Sequence, residues 1–165
     1  SIPGQGSTFE FRLNLGDASG LRWVENLRPR LKAADPPSEP APRLDGKRIL
    51  VVEDSEDNQD IFRYFLEKAG AEYRIVDNGL QAVQVAEKGD FDLILMDIQL
   101  PGIDGKEATR RIRRQGFSQP IVALTAHAMR EERESCLRAG CVGQITKPVS
   151  GDAFVSEVAN YLRRA

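Results

Sequence analysis

Three uninterrupted apolar runs mark the larger, C-terminal part of the chain: Ile49 to Val52, Leu93 to Met96 and Ile121 to Leu124. Unbroken runs of this length suit parallel strands covered on both faces, where neither side of the strand meets water. Two weaker segments, Tyr73-Arg74-Ile75-Val76 and Val142-Gly143-Gln144-Ile145, are interrupted by polar residues or glycine and so suit the edges of a sheet. Between these segments the period changes. Ile61, Phe62, Phe65, Leu66 and Ala69 recur at helical spacing, and Phe154, Val155, Val158, Ala159 and Leu162 repeat that pattern in the last helix. Gly70 and Gly140 stand where the first and fourth helices would close. The fourth helix is the polar one, with Arg130 to Glu134 between Met129 and Cys136-Leu137, and thin anchoring makes it the expected mobile element. The pattern predicts five βα units in a doubly wound parallel α/β sheet. With the first, third and fourth strands central, it fits the order 2-1-3-4-5, and right-handed crossovers put helices on both faces.

The N-terminal part reads differently. Phe9, Phe11, Leu13 and Leu15 alternate with Glu10, Arg12 and Asn14, as in one half-buried strand. Pro3-Gly4-Gln5-Gly6 precedes it, a turn of the kind that cradles phosphate but a weak signal alone. Leu21, Val24, Leu27 and Leu31 suggest a short helix within residues 19–34, interrupted by Pro29. Asp35 to Pro42 is a Pro-rich, semi-rigid linker. The expected organisation is a strand remnant in residues 1–15, a linker in 16–45 and the α/β domain in 46–165.

Composition narrows the function classes. A hydrophobic content of 41% and a charged content of 29% argue for a folded, water-soluble domain rather than a disordered chain. The net charge of −2 argues against nonspecific nucleic-acid binding. Arg110-Arg111-Ile112-Arg113-Arg114 looks basic, but with Ile112 turned inward it reads as a solvated helix face. Cys136 and Cys141 read as reduced small hydrophobes, and His127 is the only histidine, too few ligands for a Cys/His metal site. No apolar run approaches membrane-spanning length and no signal-peptide pattern is present, so a cytoplasmic location is expected.

The chemistry gathers where the apolar runs stop. Ile49 to Val52 runs into Glu53-Asp54, and Leu93 to Met96 into Asp97, followed by Ile98-Gln99-Leu100-Pro101-Gly102. Ile121 to Leu124 runs into Thr125, and the fifth strand into Lys147-Pro148. Carboxyl ends of parallel strands are where open α/β sheets hold their ligands. Three carboxylates crowded there repel one another unless a cation joins them, and hard oxygen donors on an open site suit Mg²⁺. Asp97 would be the nucleophile toward a phosphoryl group, already ionised at neutral pH and needing no general base. Lys147 would meet one phosphoryl oxygen as a point charge, and Thr125 another through a hydrogen bond.

At Val51-Val52-Glu53-Asp54-Ser55, Leu95 to Gly105, Ala123-Leu124-Thr125-Ala126 and Thr146-Lys147-Pro148, the chain resembles the receiver domain of two-component response regulators. The resemblance spans about Gly46 to Ala165 and implies a flavodoxin-like (βα)5 fold. It implies phosphorylation of Asp97 from a phosphohistidine, and Mg²⁺ bound by Asp54, Asp97 and the backbone carbonyl of Gln99, with Glu53 acting through water. It also implies a cis Lys147-Pro148 peptide, a rim formed by Gln99 and His127 that tunes phosphoryl lifetime, and docking of a histidine phosphotransfer domain on the first helix. An outer face of the fourth helix, fifth strand and last helix would serve self-association or control of a kinase core. Residues 1–15 resemble the last glycine box and following strand of a histidine-kinase ATP-binding domain, so the sequence reads as part of a hybrid histidine kinase. The boxes that hold nucleotide would lie upstream, and this stretch is expected to have no kinase activity.

Two positions depart from the family pattern. Glu53 stands where an Asp is frequent, and Gln144 stands where many receivers carry the aromatic ring that reorients on phosphorylation. A relay role is the leading expectation. The alternative is a regulatory receiver that docks on its own kinase and never passes phosphate onward. An Asp-nucleophile hydrolase of the haloacid-dehalogenase kind would want a second Asp where Gln99 stands. A flavodoxin would want a phosphate-cradling first loop where this chain is acidic. With no DNA-binding segment after Ala165, transfer or interaction is the expected output rather than transcriptional control.

Overall fold

Alternate residues of each apolar run part to opposite faces of one sheet, which is why strands without polar positions are needed. The structure, a computed structural model, describes residues 42–126 and 129–164. The readings of residues 1–41 as strand remnant, short helix and linker, and of His127, lie outside the described residues.

The elements alternate from β1 (Arg48–Val52) and α1 (Glu56–Ala69) through β2 (Glu72–Val76), α2 (Gly79–Lys88), β3 (Leu93–Asp97) and α3 (Gly105–Arg114). They continue with β4 (Ile121–Thr125), α4 (Arg130–Ala139), β5 (Gly143–Thr146) and α5 (Gly151–Arg163). All strand pairs are parallel and the order is β2-β1-β3-β4-β5, as the burial argument predicts. β3 and β4 are buried at every residue, whereas the edge strand β2 buries only Val76.

Ile49, Val51, Leu93, Leu95, Val122 and Leu124 face α1 and α5, where Phe62, Leu66, Phe154 and Val158 fill the layer. Leu50, Val52, Ile94, Met96, Ile121 and Ala123 face the other way, toward Ala82, Ala86, Ala108, Ile112 and Cys136. Gly70 and Gly140 close α1 and α4 with φ of 81° and 109°, the left-handed cap that lets each amide reach back to the last carbonyls.

The structure refines several expectations. Ile61 shares the helical spacing of the core residues of α1 but is 39% exposed. It sits at the margin of the stripe, where the sheet no longer covers the helix. Leu44, assigned to the linker by composition, is buried in the α1 and α5 layer, and its N–H donates to the Ala69 carbonyl at 2.8 Å. The basic run of α3 is explained by ion pairing: Arg110, Arg111 and Arg114 all meet Glu107, and Ile112 points inward. Arg113 ties three elements together by donating to the carbonyls of Phe117, Gln119 and Gly140. Among the described residues no helix is long and apolar enough to cross a membrane.

Candidate functional site

The sheet brings the carboxyl ends of β1, β3, β4 and β5 to one rim, and each contributes a residue predicted from the strand-end pattern. Glu53 follows β1 directly. Its N–H donates to the Val76 carbonyl at 3.0 Å, extending the β1 and β2 pairing by one step, and the residue is 1% exposed. Asp54 is next and exposed. Asp97 is the last residue of β3, paired in register with Leu124 and 4% exposed. Thr125 ends β4 and is buried. Its carbonyl accepts the Lys147 N–H at 2.7 Å, which holds the chain after β5 against β4. The Lys147-Pro148 peptide is cis, as the resemblance implies.

Both carboxylate oxygens of Asp97 are engaged. Oδ1 accepts from the Gln99 N–H at 2.9 Å and Oδ2 from Lys147 Nζ at 2.6 Å. The turn that carries Gln99 has to fold back tightly. A Cβ on Gly105 would lie 1.9 Å from the Asp97 carbonyl oxygen, so glycine alone lets α3 begin against the backbone of Asp97. Lys147 Nζ also donates to Glu53 Oε2 at 2.7 Å, so one ammonium bridges two carboxylates. Burial works against the charge on Lys147, but the bonds to Asp97 and Glu53 outweigh it, and its pKa stands above the usual lysine value.

Oxygen atoms of Glu53, Asp54 and Asp97 lie within 4.8 Å of one another. Three carboxylates against one ammonium leave two negative charges uncompensated, the charge of one divalent cation. An all-oxygen donor set with one exposed member fits a hard ion that keeps part of its water. The acidic cluster is therefore fit to hold a metal.

Of the positions expected to tune the site, Gln99 has an exposed side chain and reaches Asp97 through its backbone. Gln144 is half-buried on β5; its Oε1 is buried with no hydrogen-bond partner among the described residues, and its carbonyl accepts from the Tyr161 hydroxyl at 3.3 Å. Asn58 is the site residue that motif reading missed: Nδ2 donates to Glu53 Oε1 at 2.8 Å. Gln59 Nε2 donates to the Glu53 carbonyl at 2.7 Å. A signal existed, since Asn58 precedes Phe62 by one helical turn on the inward stripe of α1. An amide turned inward needs a partner.

The response regulator receiver domain family matches residues 49–159. The chain belongs to that family. The chain is 43% identical over 134 residues to the sensor protein GacS of Pseudomonas syringae pv. syringae, covering 76% of this chain and 14% of that protein. The chain thus spans only a small part of the sensor kinases it matches. Among solved structures, the receiver domain of the sensor histidine kinase PA1611 of Pseudomonas aeruginosa PAO1 is 41% identical, with a TM-score of 0.64. The match covers 72% of this chain and 96% of that one, and that receiver holds a magnesium ion in its active-site cleft. A co-crystal of the Saccharomyces cerevisiae phosphotransfer protein Ypd1 with the receiver of Ssk1 aligns at 32% identity and a TM-score of 0.66, covering 74% of this chain and 91% of that one.

Proposed function

We propose that Asp97 of this receiver accepts a phosphoryl group from a phosphohistidine and that the domain relays it to a histidine phosphotransfer partner. One Asp97 oxygen attacks phosphorus, the P–N bond breaks with its electron pair returning to the imidazole, and an acyl phosphate remains on Asp97. Lys147 then meets a phosphoryl oxygen with its ammonium, and Thr125 meets another with its hydroxyl. Asp54, Asp97 and the Gln99 carbonyl would hold Mg²⁺, with Glu53 reaching it through water. Bound Mg²⁺ supplies neutralisation of the charge brought by the phosphoryl group. Gln99 and His127 tune the access of water, and Gln144 takes the switch position without a ring.

The observation that supports this reading is the meeting of Lys147 Nζ and the Gln99 N–H on the two oxygens of one strand-end carboxylate. Ile61 and Tyr64, exposed on α1, supply an apolar surface for a helical partner. Leu137 and Val142, exposed beside β5, supply one for self-association or for contact with a kinase core. In the whole protein, residues 1–15 would be the last edge of an ATP-binding domain and 16–45 its linker to the receiver in the cytoplasm.

Intact mass after incubation with acetyl phosphate tests the central step. The expected result is a Mg²⁺-dependent gain of one phosphoryl group, lost in Asp97→Asn. A gain that survives Asp97→Asn would sink the assignment.

A further inference from the structure

Glu53 is held by other residues at both carboxylate oxygens and at both backbone groups. Its Oε1 accepts from Asn58 and its Oε2 from Lys147, while Gln59 takes its carbonyl and Val76 its N–H. We propose that Asn58 and Glu53 form a buttress that positions Lys147, so that the lysine stays in place while its other partner, Asp97, changes chemical state. The proposal rests on the phosphoacceptor reading and names positioning residues for it.

Lysine is a compact charge on a flexible four-carbon stem, and nothing in its own shape fixes where the ammonium sits. Two charge-assisted bonds fix it here, at 2.7 Å to Glu53 and 2.6 Å to Asp97. The bond to Asp97 cannot survive phosphorylation unchanged, because an esterified oxygen is a much weaker acceptor than a carboxylate. With Asp97 as its sole anchor, Lys147 would lose its position at the step that needs it. Glu53 is untouched by that step and stays fixed by the end of β1 and the first turn of α1. The ammonium keeps one proton on Glu53 and has two others for a phosphoryl oxygen.

The length of Glu53 matters to this arrangement. Its two oxygens reach Asn58 on one side and Lys147 on the other, at 2.8 Å and 2.7 Å. With the backbone held in place, a side chain one methylene shorter would draw the carboxylate back from both partners. Asn58 supplies orientation without charge: it occupies one carboxylate oxygen and leaves the other facing the lysine.

The test uses Asn58→Ala and Asn58→Leu, which leave every charge at the site in place, with Lys147→Ala and the double variants as controls. Two readouts are taken: the NMR signal of the Lys147 ε-methylene in protein without added phosphoryl mimic, and the affinity of Mg²⁺-saturated protein for beryllofluoride. Both Asn58 variants are expected to move the lysine signal and to weaken beryllofluoride about tenfold, clearly more than they weaken Mg²⁺ binding. In the Lys147→Ala background the same substitutions are expected to add almost nothing, because the buttress acts through the lysine. Loss of Mg²⁺ affinity equal to the loss of beryllofluoride affinity would overturn the proposal, as would full additivity with Lys147→Ala. An unmoved lysine signal would overturn it while leaving Asp97 as acceptor. Wild-type protein that binds no beryllofluoride with Mg²⁺ would overturn the phosphoacceptor reading itself, and the buttress with it.

Discussion

The helices on the two faces of the sheet are held in very different ways. α1 and α5 drive aromatic rings into their layer, with Phe154 5.5 Å from Phe62 and 5.9 Å from Phe65 between ring centroids. α4 buries only Cys136 and Ala139 and leaves Leu137 exposed. Apolar burial stabilises in proportion to the area removed from water, so the first pair is scaffold and α4 opens at lower cost. The weakly held helix is the one that follows Thr125, while the firmly held α1 carries Asn58 and begins beside Glu53 and Asp54. One half of the site is thus mounted on rigid packing and the other next to an element that can respond.

Phe62→Ala should give the largest effect, about 3–5 kcal/mol of lost stability by urea denaturation, because it empties a filled layer. A loss no greater than that of a surface substitution would break the comparison.

The α4 side offers a pH test. Burial raises the Cys141 thiol from the ordinary 9.0 to about 11, with a smaller opposing contribution from Thr109. Below 9.0 both folded and unfolded chains keep this proton. Between 9.0 and about 11 the unfolded chain releases it first, so stability falls as pH rises and levels off above that window. The Cys141 share of the loss should be of the order of 3 kcal/mol, and the slope should shrink by that share in Cys141→Ala, read from urea midpoints across the range, while the slope from Cys136, also raised by burial, remains. A slope as steep in Cys141→Ala as in the wild type would assign all of it to other groups.

Leu137→Ala should be the smallest change, within about 0.5 kcal/mol, since the side chain already meets water. A larger loss would mean that α4 is anchored more firmly than its burial pattern indicates.

Much of this was legible in the residues. Continuous apolar runs gave the central strands, interrupted ones the edges, and the residue after each run fell at the rim because parallel strands end together. Helical spacing was less discriminating. It grouped Ile61 with Phe62, yet the first is largely exposed and the second buried, because spacing defines a stripe and not how far the sheet covers it. Leu44 was hidden by its proline-rich neighbours, although it closes the end of α1.

The sequence by itself determined the five βα units and the placing of Asp97, Thr125 and Lys147 at strand ends, and its continuous and interrupted runs fitted the strand order. Those follow from local pattern, since each strand end is defined by its own run of apolar residues. Tertiary structure alone decided which of these groups touch. Lys147 meets Glu53 across 94 positions, although β1 and β5 are not neighbours in the sheet. Asn58 reaches Glu53 only because α1 turns back over the end of β1. Distances between side chains on different elements are set by how those elements pack, and no spacing along the chain encodes them.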